Sequence, residues 1–372
     1  MELFYNHKKA GVVVAFLLGA SSACAQKALD LETIPVWYRS LSLHGGFGYK
    51  DNVLLSNFAP RQSAFGTAGF DLLLWRLPTR GWQFNFFLTG EDVRYVKSVG
   101  VGAEQMAVGM AQLSKTFGDG WKATLPLQYV YLNQVFDLSA TEKTNVIGKV
   151  LGHTLSLRPS LRKDIGDHWI ELEVEGARQY FAKPLDDFSR PGAKITLGRN
   201  YGHGSAMSFI FQTSRIFYDN RLQTALDGSD LAGTSLRLQS HVAELSLDHR
   251  WDEKKRWSTL TRMGIEWDED NASGFYDYGF YRLSQQIAFR AETWQISAQI
   301  KVGYYDYSMQ RVGAANGAVR NKTSVTFNVH AEKHLTRTLK VFANFDRDRS
   351  VSNMPFDNYV ANTMSAGIDW EF

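Results

Sequence analysis

Three glutamates at every second position, Glu171, Glu173 and Glu175 in the stretch WIELEVEG, are the sharpest chemical feature of this sequence. In an extended chain successive side chains point to opposite faces, so the carboxylates share one face and Ile170, Leu172 and Val174 share the other. Three like charges at that spacing need arginines or a bound cation beside them, and Arg158 and Arg162, just upstream, are the expected partners. Ser42-x-His44 and His203-x-Ser205 set a hydroxyl and an imidazole two residues apart, a spacing at which imidazole can activate serine. The first pair shares a strand face and the second falls in a short turn, and chance spacing accounts for both. Asp346-x-Asp348 is expected to pair with Arg347 or Arg349, or to face solvent. Asp268, Glu269 and Asp270 could hold a divalent ion in an outer loop, although a solvated acidic loop is the simpler expectation. The sequence contains no zinc-ligand spacing, phosphate loop or haem motif, so no metal or cofactor is expected.

The elements that would position these groups follow from the chain's ends and composition. His7, Lys8 and Lys9 precede the apolar run Ala10–Ala20 and the A-x-A-like site Ala23-Cys24-Ala25, the layout of a cleaved export signal over residues 1–25. Residues 26–35 would then form a short periplasmic segment and residues 36–372 one domain. Cys24 is the sole cysteine, so the exported chain would close its structure without a disulfide. No later stretch is apolar enough for a membrane helix. The net charge of +3 comes from nearly balanced signs, which argues against a nucleic-acid surface. Aromatics make up 13% of the chain, too many for disorder.

From about Val36 onward apolar and polar residues alternate with period two. About sixteen such segments can be counted, near 37–50, 63–76, 82–95, 106–117, 121–132, 149–162, 169–179, 192–200, 205–217, 236–250, 257–267, 279–290, 294–306, 322–333, 338–347 and 359–372. Most are about twice the five or six residues of an ordinary strand. Their connectors alternate between short polar turns and longer loops, of which 218–235 is the longest and the candidate to fold inward. The pattern predicts an all-β, closed antiparallel transmembrane barrel of about sixteen strands, with short periplasmic turns and long extracellular loops.

Five tryptophans, Trp82, Trp121, Trp169, Trp257 and Trp294, directly follow short turns. With Trp370 and the terminal Phe372 they are expected to form one aromatic ring at a membrane–water boundary. The cations on the outward parity, Arg39, Lys115, Arg178 and Arg199, all fall near strand ends, where they cost little. Pro126 and Pro159 each remove a ladder donor in neighbouring strands, which predicts a bulge or weakened pairing there. The inward parity carries Lys50, Asp71, Glu91, Lys122, Arg158, Arg162, Glu171, Glu173, Glu175, Lys194, Arg262, Glu266, Arg282 and Lys301. These charges either line water in a permeation path or pair across a narrower, filled lumen.

At this level the chain resembles Gram-negative outer-membrane β-barrels. GYKDNVLLS (48–56) with SAF (63–65) resembles the first hairpin of β-barrel porins linked to exopolysaccharide systems, and SNMPFDNYVANTMSAGIDWEF (352–372) resembles their last. That last hairpin is also similar to the barrel of surface-lipoprotein assembly modifiers. The resemblance implies an outer-membrane location, contact with membrane lipid and lipopolysaccharide, and recognition of the last strand by the barrel-assembly machinery. It also implies periplasmic polysaccharide-export components as partners, and a non-enzymatic channel for small polar solutes or polysaccharide. An assembly or surface-display factor with a closed lumen is the alternative, and a barrel hydrolase the third.

Overall fold

The computed structural model describes residues 36–97, 100–138, 147–313 and 316–372; the expected export signal and the segment 26–35 lie outside them. The strand segments are β1 Trp37–Lys50, β2 Ser63–Thr79, β3 Trp82–Tyr95, β4 Ala103–Thr116, β5 Trp121–Asp137, β6 Ile147–Leu157, β7 Ser160–Ile165, β8 His168–Phe181 and β9 Phe188–Tyr201. They continue as β10 Ser205–Tyr218, β11 Arg237–Arg250, β12 Trp257–Asp270, β13 Tyr278–Arg290, β14 Trp294–Arg311, β15 Val319–His334, β16 Leu339–Ser352 and β17 Tyr359–Glu371. Neighbours pair antiparallel all the way round, and β1 with β17 closes the ring. Because β6 and β7 are collinear halves of one strand, the barrel has sixteen strands.

The break between β6 and β7 falls at Arg158 and Pro159. β5 pairs with β6 as far as Leu127–Leu157 and with β7 from Thr124–Ser160, so the same register runs across the gap. Arg158 N–H donates to the Pro126 carbonyl at 3.2 Å, and Val174 N–H to the Pro159 carbonyl at 3.0 Å. Pairing is therefore interrupted without an inserted residue. Of the two expected outcomes the weakened ladder occurs and the bulge does not, since Pro159 lacks a donor but still presents its carbonyl.

Strand parity separates two surfaces. Leu41, Phe47, Leu125, Leu155, Leu172, Val174, Phe209, Leu245, Ile287, Ile300, Met364 and Ile368 are exposed on the outside. The inside carries the polar and charged partners of the alternation. The short turns and the outer ends of β1 and β17 gather at one end, here the short-turn end, and the long loops at the other. At the first short turn Arg80 and Gly81 both have positive φ, 51° and 80°, the mirror-image turn that joins two twisted strands in two residues.

Buried apolar residues cluster at the loop end. Val53 and Leu55 of the 51–62 loop pack with Val101, Val135 and Ala361. Phe188, Ile216, Tyr218, Leu236, Leu238 and Tyr276 form a second cluster, and Tyr278, Phe280, Tyr305 and Tyr307 a third. Loops thus fold back onto the inner wall, where they find the apolar contacts that a membrane barrel lacks elsewhere.

The closing seam is made at close range. Gly46 and Gly367 face each other, and a Cβ on Gly46 would lie 2.3 Å from the Ala366 carbonyl oxygen. A Gly46→Val substitution should therefore force the seam apart and destabilise the barrel by roughly 1–3 kcal/mol. A lower urea midpoint for loss of the heat-modifiable band would show it; an unchanged midpoint would mean that the seam adjusts freely.

Candidate functional site: the lumen wall and its loop-end bridge

The wall's ion pairs follow from parity and register. Glu173 and Lys194 face each other across β8 and β9, with Nζ–Oε1 at 2.9 Å, and Arg190 reaches Glu175 at 2.9 Å. The glutamate triplet is thus served mainly from β9 rather than from Arg158 and Arg162. Arg158 instead donates to Gln128, and Arg162 donates to Asp164 at 2.7 Å, although its backbone stands opposite Glu171. Arg282 reaches Glu244, two strands away, at 2.9 Å and lies 4.0 Å from Glu266. Gly264 makes that reach possible, since a Cβ there would sit 2.8 Å from the Arg282 Nε.

Six further charged residues lie on the same strand parity. Lys50 meets Glu104 at 3.3 Å, Asp71 lies 3.7 Å from His44, and Glu91 accepts from Thr67 at 2.9 Å. Lys122 stands opposite Arg162, Arg262 opposite Ser246, and Lys301 between Ser284 and Thr326.

Several other expectations are corrected. Trp169 shares the inward parity of Glu171, and the Arg162 guanidinium lies over its ring at 4.2 Å. Its indole fits there because Gly198 leaves the opposing wall bare. Trp82, Trp121, Trp257, Trp294, Trp370 and Phe372 stay outside, each at least 40% exposed. Asp268, Glu269 and Asp270 end β12 rather than forming a loop: Asp268 is buried beside Tyr278. Asp270 accepts from the N–H groups of Ala272, Gly274 and Tyr276 at 2.8–2.9 Å, which shapes the following turn. Asp348 accepts from Thr326 at 3.0 Å and Asp346 from Asn328, while Arg347 and Arg349 point outward on the other parity. Ser42 and His44 share the inner face with Asp71. Ser205, by contrast, is held by Arg250 N–H at 2.9 Å and by His249.

One feature was not visible in the sequence. Asp137, at the loop end of β5, forms a 2.6 Å ion pair with Lys322 of β15, both almost fully buried. These strands are seven positions apart by the shorter way round the ring and nine by the longer, so the contact crosses the barrel. Tyr359 hydrogen-bonds the same Asp137. Beside it Arg320 donates to Asp357 at 2.5 and 3.0 Å and to Gln310 at 2.7 Å, with Tyr307 under its guanidinium at 4.6 Å. The 219–236 loop packs against the inner wall and the 271–277 loop, where Thr224 donates to the Tyr276 hydroxyl at 3.2 Å. The contact that spans the barrel, however, comes from β5 and not from that loop.

A closed ring of long strands leaves no open edge, and its outer surface is apolar and rimmed by tryptophan. That combination belongs in a bilayer reached by strands. The chain is a closed transmembrane β-barrel. No protein-family model and no curated protein sequence matches it. Among solved structures it is similar to OccAB3 of Acinetobacter baumannii, with 8% identity, TM-score 0.47, and coverage of 91% of this chain and 100% of that one. It is also similar to the outer membrane protein OprD of Pseudomonas aeruginosa, with 12% identity, TM-score 0.45, and coverage of 90% and 94%. A bacterial polysaccharide outer membrane secretin gives 9% identity, TM-score 0.44, and coverage of 90% and 97%.

Two substitutions test the loop-end network. Arg320 and Asp357 are 4% and 0% exposed, so Arg320→Met strands a buried carboxylate and should cost about 3–5 kcal/mol in urea unfolding. Adding Asp357→Leu should restore most of that loss. Asp277, outside the strands, has its carboxyl pKa raised by burial and by Asp270, Glu269 and Asp268. The folded state therefore holds this proton more tightly than the unfolded one, so its contribution falls as pH rises through the folded pKa. Asp277→Asn should raise the unfolding midpoint at pH 7, and the gain should vanish in acid below the ordinary aspartate pKa.

Proposed function

We propose that the protein is a porin-like channel for small polar solutes. The observation that carries this reading is the direction of the ion pairs below the loop end. Glu173–Lys194, Glu175–Arg190, Glu244–Arg282 and Glu332–Lys340 join strands next to each other or two apart, so they run along the wall. Charges satisfied along the wall leave the axis to water, which a ring of this size has room to hold. The wall is also uneven in sign. From β15 round to β4 it carries Glu332, Asp346, Asp348, Asp369, Asp71 and Glu91, with Lys340 and Lys50 among them. The rest of the wall is close to balance, with Lys122, Arg158, Arg162, Lys194, Arg262, Arg282 and Lys301 against the glutamate triplet, Glu244, Asp248, Glu266 and Asp268, so the negative excess lies on the first arc. A transverse field of this kind orients hydroxylated and dipolar solutes without excluding either ion sign. Passage of an exported polysaccharide is the finer form of the same reading, and it rests on the resemblance of the first and last hairpins.

The second reading, an assembly or display factor with a closed lumen, is favoured by the Asp137–Lys322 bridge. Planar-bilayer recording separates the two. The channel predicts steady conductance for the native protein, and Asp137→Leu with Lys322→Met should raise it by roughly a factor of two by removing the bridge. No conductance from either protein would favour the closed-lumen role.

A further inference from the structure

The outer surface near the short-turn end repeats one pair of residues. Trp37 stands opposite Arg76, Trp82 opposite Lys115, Trp121 opposite Lys163 and Trp294 opposite Lys333, each across adjacent strands. In every case the cation lies over the indole, at 5.9, 4.8, 5.2 and 5.1 Å from the ring centroid. Arg39 and Arg199 add two more outward cations at this end. Among the described strand residues, the outward carboxylates Asp92, Glu269 and Asp306 all lie toward the loop end. The short turns themselves are mixed in sign, and Asp252 there already holds Arg256 at 3.2 Å.

We propose that this rim binds anionic phospholipid headgroups in the leaflet that surrounds the short-turn end. The indole fixes the depth, because its ring prefers the boundary between acyl chains and water. The cation stacked on it is then held at headgroup level rather than reaching freely into solvent. Lys115 donates to the Arg80 carbonyl at 2.8 Å and Lys163 to the Asp119 carbonyl, and each ammonium has further donors for a phosphate oxygen. A zwitterionic headgroup brings its own ammonium into a cationic rim, whereas a net anionic one does not, so the rim selects by charge. The pairs lie on β1/β2, β3/β4, β5/β7 and β14/β15, an arc of ten of the sixteen strands that leaves out β8–β13. A lipid annulus meets that whole arc of more than half the ring at once, while a docked protein would cover a narrower sector.

The test reconstitutes the full barrel in zwitterionic vesicles containing a small fraction of lipid with brominated acyl chains, either phosphatidylglycerol or phosphatidylcholine. Quenching of tryptophan fluorescence reports which lipid sits beside the rings. Brominated phosphatidylglycerol should bind beside them about threefold better than brominated phosphatidylcholine, and the preference should weaken with salt. Replacing Arg76, Lys115, Lys163 and Lys333 together by Gln should bring the ratio to about one. Lys333→Gln alone should lower it partway if the fourfold variant fails to fold. Arg347→Gln with Arg349→Gln, outward but toward the loop end, should leave the ratio unchanged. Equal quenching by the two lipids in the native protein would overturn the proposal. So would a preference that survives the fourfold change, or one lost only in the loop-end variant.

Discussion

Everything in this molecule depends on the hydrogen bonding of its backbone in a medium that offers no partners. Inside hydrocarbon an unpaired N–H or C=O costs several kcal/mol, so every strand needs two neighbours and the sheet has to close. The seam between β1 and β17 is where that demand is met, with nine residue pairs from Ser42–Glu371 to Lys50–Thr363. Phe372 N–H continues it by donating to the Leu41 carbonyl at 2.8 Å. The facing glycines of the seam follow from the same demand, since the ladder has to form even where the wall is most tightly wound. Pro159 shows how much the closed ring tolerates: one missing donor opens a gap in the ladder, yet the register on both sides is kept by the rest of the strand.

Closure also decides what the side chains can do. Once every backbone group is paired with a neighbour, the inner face is left with long polar residues that must find partners within reach of two or three strands. Arg282 manages this by lying across Gly264 to Glu244, and Trp169 by lying across Gly198. Small residues on one strand thus give room to large ones on the next, and the charges end up neutralised along the wall. At the loop end the constraint changes. There the strands extend past the apolar outer band, the loops can bury apolar surface, and Asp137 can reach Lys322 across the axis.

The period-two pattern made the barrel legible because each strand has one face in lipid and one in water, a division that leaves its mark on every residue. Strand number, the alternation of short and long connectors, and the outward run of Ala366, Ile368, Trp370 and Phe372 all follow from it. Trp169 departs from the outward pattern by one residue of boundary. Trp82, Trp121, Trp257 and Trp294 each open their strands, whereas β8 begins at His168, and a shift of one reverses the face. The partners of Glu173 and Glu175 stand on β9 rather than β7 because a strand has two neighbours, and local pattern does not specify which one presents the cation. Asp137 and Lys322 are 185 residues apart in sequence, and only the closed ring brings them together. The acidic run at Asp268 reads as a loop because charge marks turns in soluble proteins, whereas here β12 extends into the capped loop end.

The two ends of the barrel therefore obey different physics. The short-turn end is a membrane boundary, where rings and cations face outward and connectors are as short as the strand twist allows. The loop end resembles a small soluble core, with buried tyrosines, an arginine–aspartate pair and loops packed inward. In the proposed channel a solute moving along the axis would pass from a wall of paired charges to a layer in which buried groups are held by specific partners. In the wall many weak contacts can exchange one partner for another, so selectivity there would be broad. At the bridge the alternatives are a formed pair or an open gap, and for that reason the loop end, not the ring of lumen charges, would set the narrowest demand on what passes such a channel.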